Sequence, residues 1–259
     1  MKTWFFPLIL IGVGGCSEYH LDMVATTELL SPLDERFADV LGGDTPRADA
    51  PIYINEASTL WAWYPQRGEL DRIGDFTSPA IEMTGMTDIA IDKGGRMVGC
   101  TPLALYAIDP TTAETAELTT LDRQGDLIGL TFLEDGTLIG GASDLRVLDL
   151  DTGATLETLN DSFITSGDVV ALPDGKLYWS VQGDFDDIVT YDIQSDQSGL
   201  FARGAGQQIF GIAYADETLY GFTGTGAVLT LNHTDGEAFP NNMDGGWYGA
   251  ATNPVRWSD

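Results

Sequence analysis

Two aspartates hold matching positions in two segments of similar pattern, "TDIAIDKGGRMVGC" (87–100) and "DVVALPDGKLYWS" (168–180). They are Asp88 and Asp168, each at the head of a short apolar run. Two carboxylates brought together, with loop carbonyls and water, are a donor set for Ca²⁺, a hard cation that takes about six to eight oxygen ligands. The same carboxylates can instead accept backbone N–H groups where a strand begins. Other chemistry is scarce. The chain has two histidines, His20 and His233, and two cysteines, Cys16 and Cys100. That leaves little for a His-dependent triad or a zinc site. There is no G-x-S-x-G elbow, phosphate-binding glycine loop or CxxC pair. The Asp-rich "DLDTGA" and "IDPTTAE" stretches lack the ligand spacing of an EF-hand loop and read as turns.

The elements that must position Asp88 and Asp168 repeat along the chain. "GLTFLEDGTLIGG" (129–141) and "GIAYADETLYGF" (211–222) share the pattern of the two segments above: an apolar strand, a turn with Asp, Glu or Gly, then a second strand. A third strand follows each, in "LYAIDPTTAE", "LRVLDLDTGA", "IVTYDIQSDQSG" and "VLTLNHTDGE". Counting "LWAWYPQRGE" as another copy, these begin near residues 60, 104, 145, 188 and 228. A period of about 40 residues with period-2 alternation means roughly four strands per unit. "PIYINEA" (51–57), "TLWAWYP" (59–65) and "ELDRIGDF" (69–76) read as a unit lacking its first strand, and "WYGAAT" (247–252) as a first strand lacking the rest. Joining the two ends completes a fifth unit and hides sheet edges.

These units resemble the NHL, YVTN and related β-propeller repeats over about residues 51–257. The fold expected is therefore all-β: a five-bladed β-propeller of four-stranded antiparallel blades, with the ring closed by N- and C-terminal strands. The departures are Asp216-Glu217 in place of Asp-Gly, and a last inner strand that leads into Asn253-Pro254. The inner-strand starts then fall in register at Asp88, Gly129, Asp168, Gly211 and Gly249, the three glycines letting the backbone crowd the axis. Asp88 and Asp168 would face one another across a narrow channel. Metal-dependent lactonases of the gluconolactonase type are also propellers that hold a divalent ion at the channel. Those have six blades, and their Glu and Asn partners have no evident counterparts here.

Residues 1–15 have the parts of an export signal: Lys2, then an apolar segment from Trp4 to Val13, too short to span a bilayer. Val13-Gly14-Gly15-Cys16 resembles the lipobox of bacterial lipoproteins. The resemblance implies cleavage before Cys16, lipidation of Cys16, and stable attachment by two or three acyl chains. Ser17 at the next position implies the outer membrane by the sorting rule of that family. Residues 16–50 form the lipidated start and a tether. Within it "SPLDERFADVLGG" predicts a short helix over 32–41, capped by Ser31 and ended by Gly42. Residues 51–259 are the propeller domain. With Cys16 lipidated, Cys100 has no disulfide partner in the chain and reads as a small buried residue.

The chain carries 12 basic and 40 acidic residues, a formal net charge of −28. Such a field repels nucleic acid and anionic headgroups, so contact with the membrane is expected through the anchor alone. Function on a propeller sits on loops at one face. The loops expected there mix polar side chains with aromatic ones, and their candidate ligand residues are Phe163, Phe185, Gln207, Gln208, Asp244 and Trp247. Trp61, Trp63, Trp179 and Trp257 are expected to pack between blades. The reading is a monomeric, non-catalytic binding module of the cell envelope that meets a protein or glycan. No cofactor is required, Ca²⁺ on Asp88 and Asp168 being the one candidate. The alternative is a metal-dependent hydrolase. Three or more converging carboxylate or amide side chains at the channel mouth would favour the enzyme, and a glycine-closed mouth the binder.

Overall fold

The computed structural model describes residues 50–253 apart from 161, 207, 232–237 and 244. Cys16, His20, the helix expected over 32–41, His233 and Trp257 lie outside the described residues. The chain runs β1 (Ile52–Asn55), β2 (Thr59–Tyr64) and β3 (Glu69–Asp75), then a short helix α1 (Pro79–Thr84). β4 (Asp88–Ile91), β5 (Met97–Cys100), β6 (Ala104–Ile108) and β7 (Thr115–Thr120) form one sheet. β8 (Gly129–Phe132), β9 (Leu138–Gly141), β10 (Leu145–Leu148) and β11 (Thr155–Asn160) form the next. β12 (Thr165–Ala171), β13 (Lys176–Val181), β14 (Asp186–Asp192) and β15 (Gln197–Gly206) follow, then β16 (Ile209–Ala215), β17 (Thr218–Thr223), β18 (Ala227–Leu231) and β19 (Ala238–Asn242). The last strand, β20 (Gly249–Ala251), pairs antiparallel with β1, Asn55 opposite Gly249 and Tyr53 opposite Ala251.

The protein is thus a five-bladed β-propeller, each blade four antiparallel strands, closed by its two ends as the repeat count predicts. Blade I holds β20 and β1–β3, and blades II to V follow in chain order. Inner strands β4, β8 and β20 are buried along their whole length, whereas outer strands β3, β7 and β11 have no buried residue. The core is not one centre. It is five apolar clusters, one in each gap between neighbouring blades. Trp63 fills the gap between blades I and V, edge-on to Tyr220 at 5.0 Å and Phe222 at 5.5 Å. Trp179 does the same between blades III and IV, edge-on to Phe163 at 5.7 Å and donating from Nε1 to Thr165 Oγ1. Each such buried ring contributes a few kcal/mol by leaving water.

Two local details differ from the expected pattern. The stretch 77–86 reads as a loop, but Pro79 at a first turn and Gly85 at the end set up α1. The hairpin between β16 and β17 has a two-residue turn, Ala215 opposite Thr218, with Asp216 and Glu217 both left-handed (φ 49° and 62°). That is the type I′ geometry that Asp-Gly serves best.

Candidate functional site

The face where the inner strands begin is here called the loop face. It carries the segments leading into the inner strands and the turns between second and third strands. At its centre Asp88 and Asp168 meet, both with no exposed surface. Asp88 Oδ1 accepts from the N–H of Ile89 at 2.8 Å and of Ala250 at 3.2 Å, and Oδ2 from Leu130 at 2.5 Å. Asp168 Oδ1 accepts from Val169 and Oδ2 from Ile212, both at 2.6 Å. Each donor is the residue after a register position: Asp88, Gly129, Asp168, Gly211 and Gly249. All five inner strands therefore aim one amide at the axis, and two carboxyl groups receive all five. The Asp168 backbone is held in turn by Ser180, whose Oγ accepts from its N–H at 3.0 Å and donates to its carbonyl at 3.1 Å.

Burial pushes both carboxyls up, and each influences the other's titration. Asp168 rises to about 7 through burial. Asp88 rises well above the usual carboxylate range, by burial first and then by the neighbouring Asp168 charge. Two neighbouring buried carboxylates cannot both ionise cheaply, which favours protonation of the pair. The glycines close the mouth around this pair. A Cβ at Gly249 would stand 2.1 Å from Asp88 Oδ1 and 2.6 Å from Asn55 Oδ1, and one at Gly129 would stand 2.8 Å from the Gly167 carbonyl. Beyond the pair, the channel between the inner strands keeps a cavity of about 10 Å³. That is at the lower edge of what one water needs.

The sequence register brought Asp88 and Asp168 together correctly, and the geometry then bears on what they can hold. Every carboxyl oxygen of the pair faces at least one N–H donor, a setting that suits an anion and opposes a cation. Among the described residues no group of three or more His, Cys, Asp or Glu gathers for a metal. Asn55 was missed in the sequence. It is buried on the mouth's rim, donating from Nδ2 to the carbonyls of Glu56 and Met86 at 3.0 and 3.1 Å, with no partner for Oδ1 among the described residues. The Cys100 thiol, buried and pushed up to about 12 by desolvation, is no nucleophile.

The candidate ligand residues divide. Phe185 is exposed on the turn between β13 and β14, at 53% of its surface. Phe163 is half-buried against Trp179, and Gln208 is exposed beside β16. Trp247 is a correction: it has no exposed surface and packs edge-on to Trp61 at 6.2 Å, so it supports the loop face from beneath. Gln207 and Asp244 lie outside the described residues. A second buried network was also missed. Arg146 on β10 is 1% exposed and reaches Asp126 at 2.5 Å and Asp144 at 3.5 Å, while Arg123 joins Asp144 at 2.7 Å. It ties the segment before β8 to the turn between β9 and β10.

Of the seven large hydrophobics exposed among the described residues, five stand on the loop face: Met83, Leu103, Ile164, Phe185 and Tyr248. The other two, Leu156 and Leu200, lie on outer strands. Met83 and Tyr248 flank a groove of about 260 Å³ floored by Ile81 and Met86. A larger cavity of about 430 Å³ opens on the opposite face, between Leu133, Leu172, Pro173 and Ile193, with Lys93 paired to Glu134 at its rim.

No family profile matches the sequence, and no curated protein does. Solved structures do match in fold. A chain of a nidogen–laminin complex is 14% identical with a TM-score of 0.53, over 77% of this chain and 96% of that one. A structural-genomics protein of unknown function from Bacteroides thetaiotaomicron VPI-5482 is 15% identical with a TM-score of 0.51, over 73% of this chain and 56% of that one. A protein described as TolB from Agrobacterium tumefaciens is 13% identical with a TM-score of 0.51, over 75% and 73%. At these identities the likeness shows the propeller fold alone.

Proposed function

We propose that the protein is a lipid-anchored binding module of the bacterial envelope, on the outer membrane, which works without catalysis and offers its loop face to an envelope protein or glycan. One observation carries the reading. β1 runs from the opposite face towards the loop face, ending at Asn55, whose carbonyl accepts the Tyr248 N–H at 2.8 Å. The segment before residue 50, with Cys16 at its head, therefore joins the domain on the face opposite the exposed apolar residues. An anchor attached there leaves the loop face free to meet a partner. Glycines and amide-bound carboxyls close the channel mouth, and among the described residues no open set of converging acid–base groups of the kind a hydrolase uses stands there. The neighbours of the fold are compatible with this but do not specify it.

The test is fractionation followed by cross-linking. A Cys16→Ser variant is expected in the soluble fraction, and photo-cross-linkers at Met83 and Phe185 are expected to capture an envelope component that those at Leu133 do not. A Cys16→Ser chain that stays membrane-bound after signal removal would sink the anchor. Cross-links confined to Leu133 would sink the choice of face.

A further inference from the structure

We infer that the loop face takes a cationic, apolar-bearing segment of a protein partner, laid round the closed channel mouth; this rests on the loop face being the working face. Exposed and half-buried apolar residues stand on that face in three neighbouring blades. Met83 and Tyr248 share the 260 Å³ groove. The Tyr248 ring meets Phe210 at 6.0 Å. The Phe210 backbone lies against Gly167, where a Cβ would come within 2.4 Å of its Cα. Three residues before Gly167 stands exposed Ile164, whose carbonyl accepts from Gln182 at 2.9 Å, in the turn that carries Phe185. These apolar residues thus run round the closed mouth from blade I through blade V to blade IV, along which an extended or helical segment can lie.

Acidic residues stand beside the apolar ones of this face, with Arg203 of β15 on the outer side of blade IV. Glu82 lines the groove, and Asp184 and Asp187 flank Phe185. No Lys or Arg lines the groove. Arg123 and Arg146 are held by Asp126 and Asp144. An acidic rim around apolar anchors complements Lys or Arg beside Leu, Ile or Phe. A glycan is the poorer match. Sugars stack on flat aromatic faces beside fixed polar groups, and Met83 and Ile164 offer neither.

The test uses the full chain carrying Cys16→Ser, with titration calorimetry against three probes: an amphipathic Lys–Leu peptide, its Glu–Leu counterpart, and a neutral chito-oligosaccharide. The Lys–Leu peptide is expected to bind alone. Its affinity is expected to fall at least tenfold in the Met83→Ser/Phe185→Ser/Tyr248→Ser variant and to hold in Leu156→Ser/Leu200→Ser, which removes exposed apolar area elsewhere. Equal affinity in both variants would mean mere attraction to a chain of charge −28, and would overturn the inference. Binding of the Glu–Leu peptide or the oligosaccharide would overturn it too. Envelope cross-links on the loop face to a neutral or acidic segment would sink this inference and leave the choice of face standing. Cross-links on the opposite face would sink both.

Discussion

Asp88 and Asp168, from blades II and IV, divide between them the N–H donors of all five inner strands. The ring is therefore bound at its axis by two buried carboxyl groups whose pKa values are raised. Such a device has a sign in pH. A carboxyl whose folded pKa is raised contributes fully below its unfolded pKa near 4, and the contribution is lost as pH rises through the folded pKa. For Asp168 that window runs from about 4 to about 7, and for Asp88 it extends higher.

Stability is accordingly expected to fall between pH 5 and pH 8. The groups facing the pair do not intervene: Cys100 stays protonated to about 12, and Asn55 is neutral. The exposed carboxylates with lowered values, Asp75, Asp122, Asp149 and Asp192, act in the other direction and only below about pH 4. Urea midpoints across the range measure it. The expected loss is on the order of 2–3 kcal/mol; Asp168→Asn reduces it, while Asp88 and Asp186, also raised by burial, keep part of it. A midpoint that holds steady from pH 5 to 8 would rule out the raised carboxyls.

Calcium is expected to do nothing. The carboxyl oxygens that would coordinate it already face amides, so a thermal melt with Ca²⁺ and one with a chelator should coincide. Asp88→Ala should instead lower stability without any metal, since it strips acceptors from Ile89, Leu130 and Ala250 at about 1 kcal/mol or more for each buried donor left unpaired. A Ca²⁺-dependent rise in melting temperature that Asp88→Ala abolishes would restore the metal reading.

The propeller was legible because its signals are local: period-2 strands, Asp-Gly turns, and a repeat that makes each unit confirm the next. Register alone brought Asp88 and Asp168 to one axis. Their role as acceptors for strand-entry amides was one of the two readings the sequence offered, but that donors would come also from β8, β16 and β20 was not legible, because amides leave no mark in a sequence. Trp247 failed for a related reason. In "NNMDGGWYG" it reads as a loop aromatic, yet Trp61 of blade I buries it. Arg146 in "DLRVLD" carries no mark of its role, because Asp126, which the fold brings over it, lies 20 residues earlier in the segment before β8.

Arg146 gives the sharpest mutational expectation off the axis. A guanidinium 1% exposed is tolerable only with its acids in place, and Asp126 and Asp144 lose their counterion when it goes. Arg146→Ala is expected to cost about 3 kcal/mol in equilibrium unfolding. Arg123→Ala, at 42% side-chain exposure, is expected to cost under about 1 kcal/mol. Equal costs would mean that Arg146 is not the anchor of the network.

The turn at Asp216-Glu217 is the one hairpin where the chain departs from its own repeat, and it gives an expectation of opposite sign. Glu217 holds φ 62°, a left-handed conformation that a side chain raises by roughly 1–2 kcal/mol. Its side chain is exposed, so little packing is lost with it. Glycine removes the strain but loses more entropy on folding, by roughly 0.5–1 kcal/mol. The difference leaves Glu217→Gly more stable by about 0.5–1 kcal/mol, since Asp-Gly is the preferred pair for this turn. The denaturation midpoint of blade V's amides, followed by hydrogen exchange, should rise with the global one. If Glu217→Gly lowers both, the two-residue turn is not strained, and the departure from Asp-Gly carries no energetic cost.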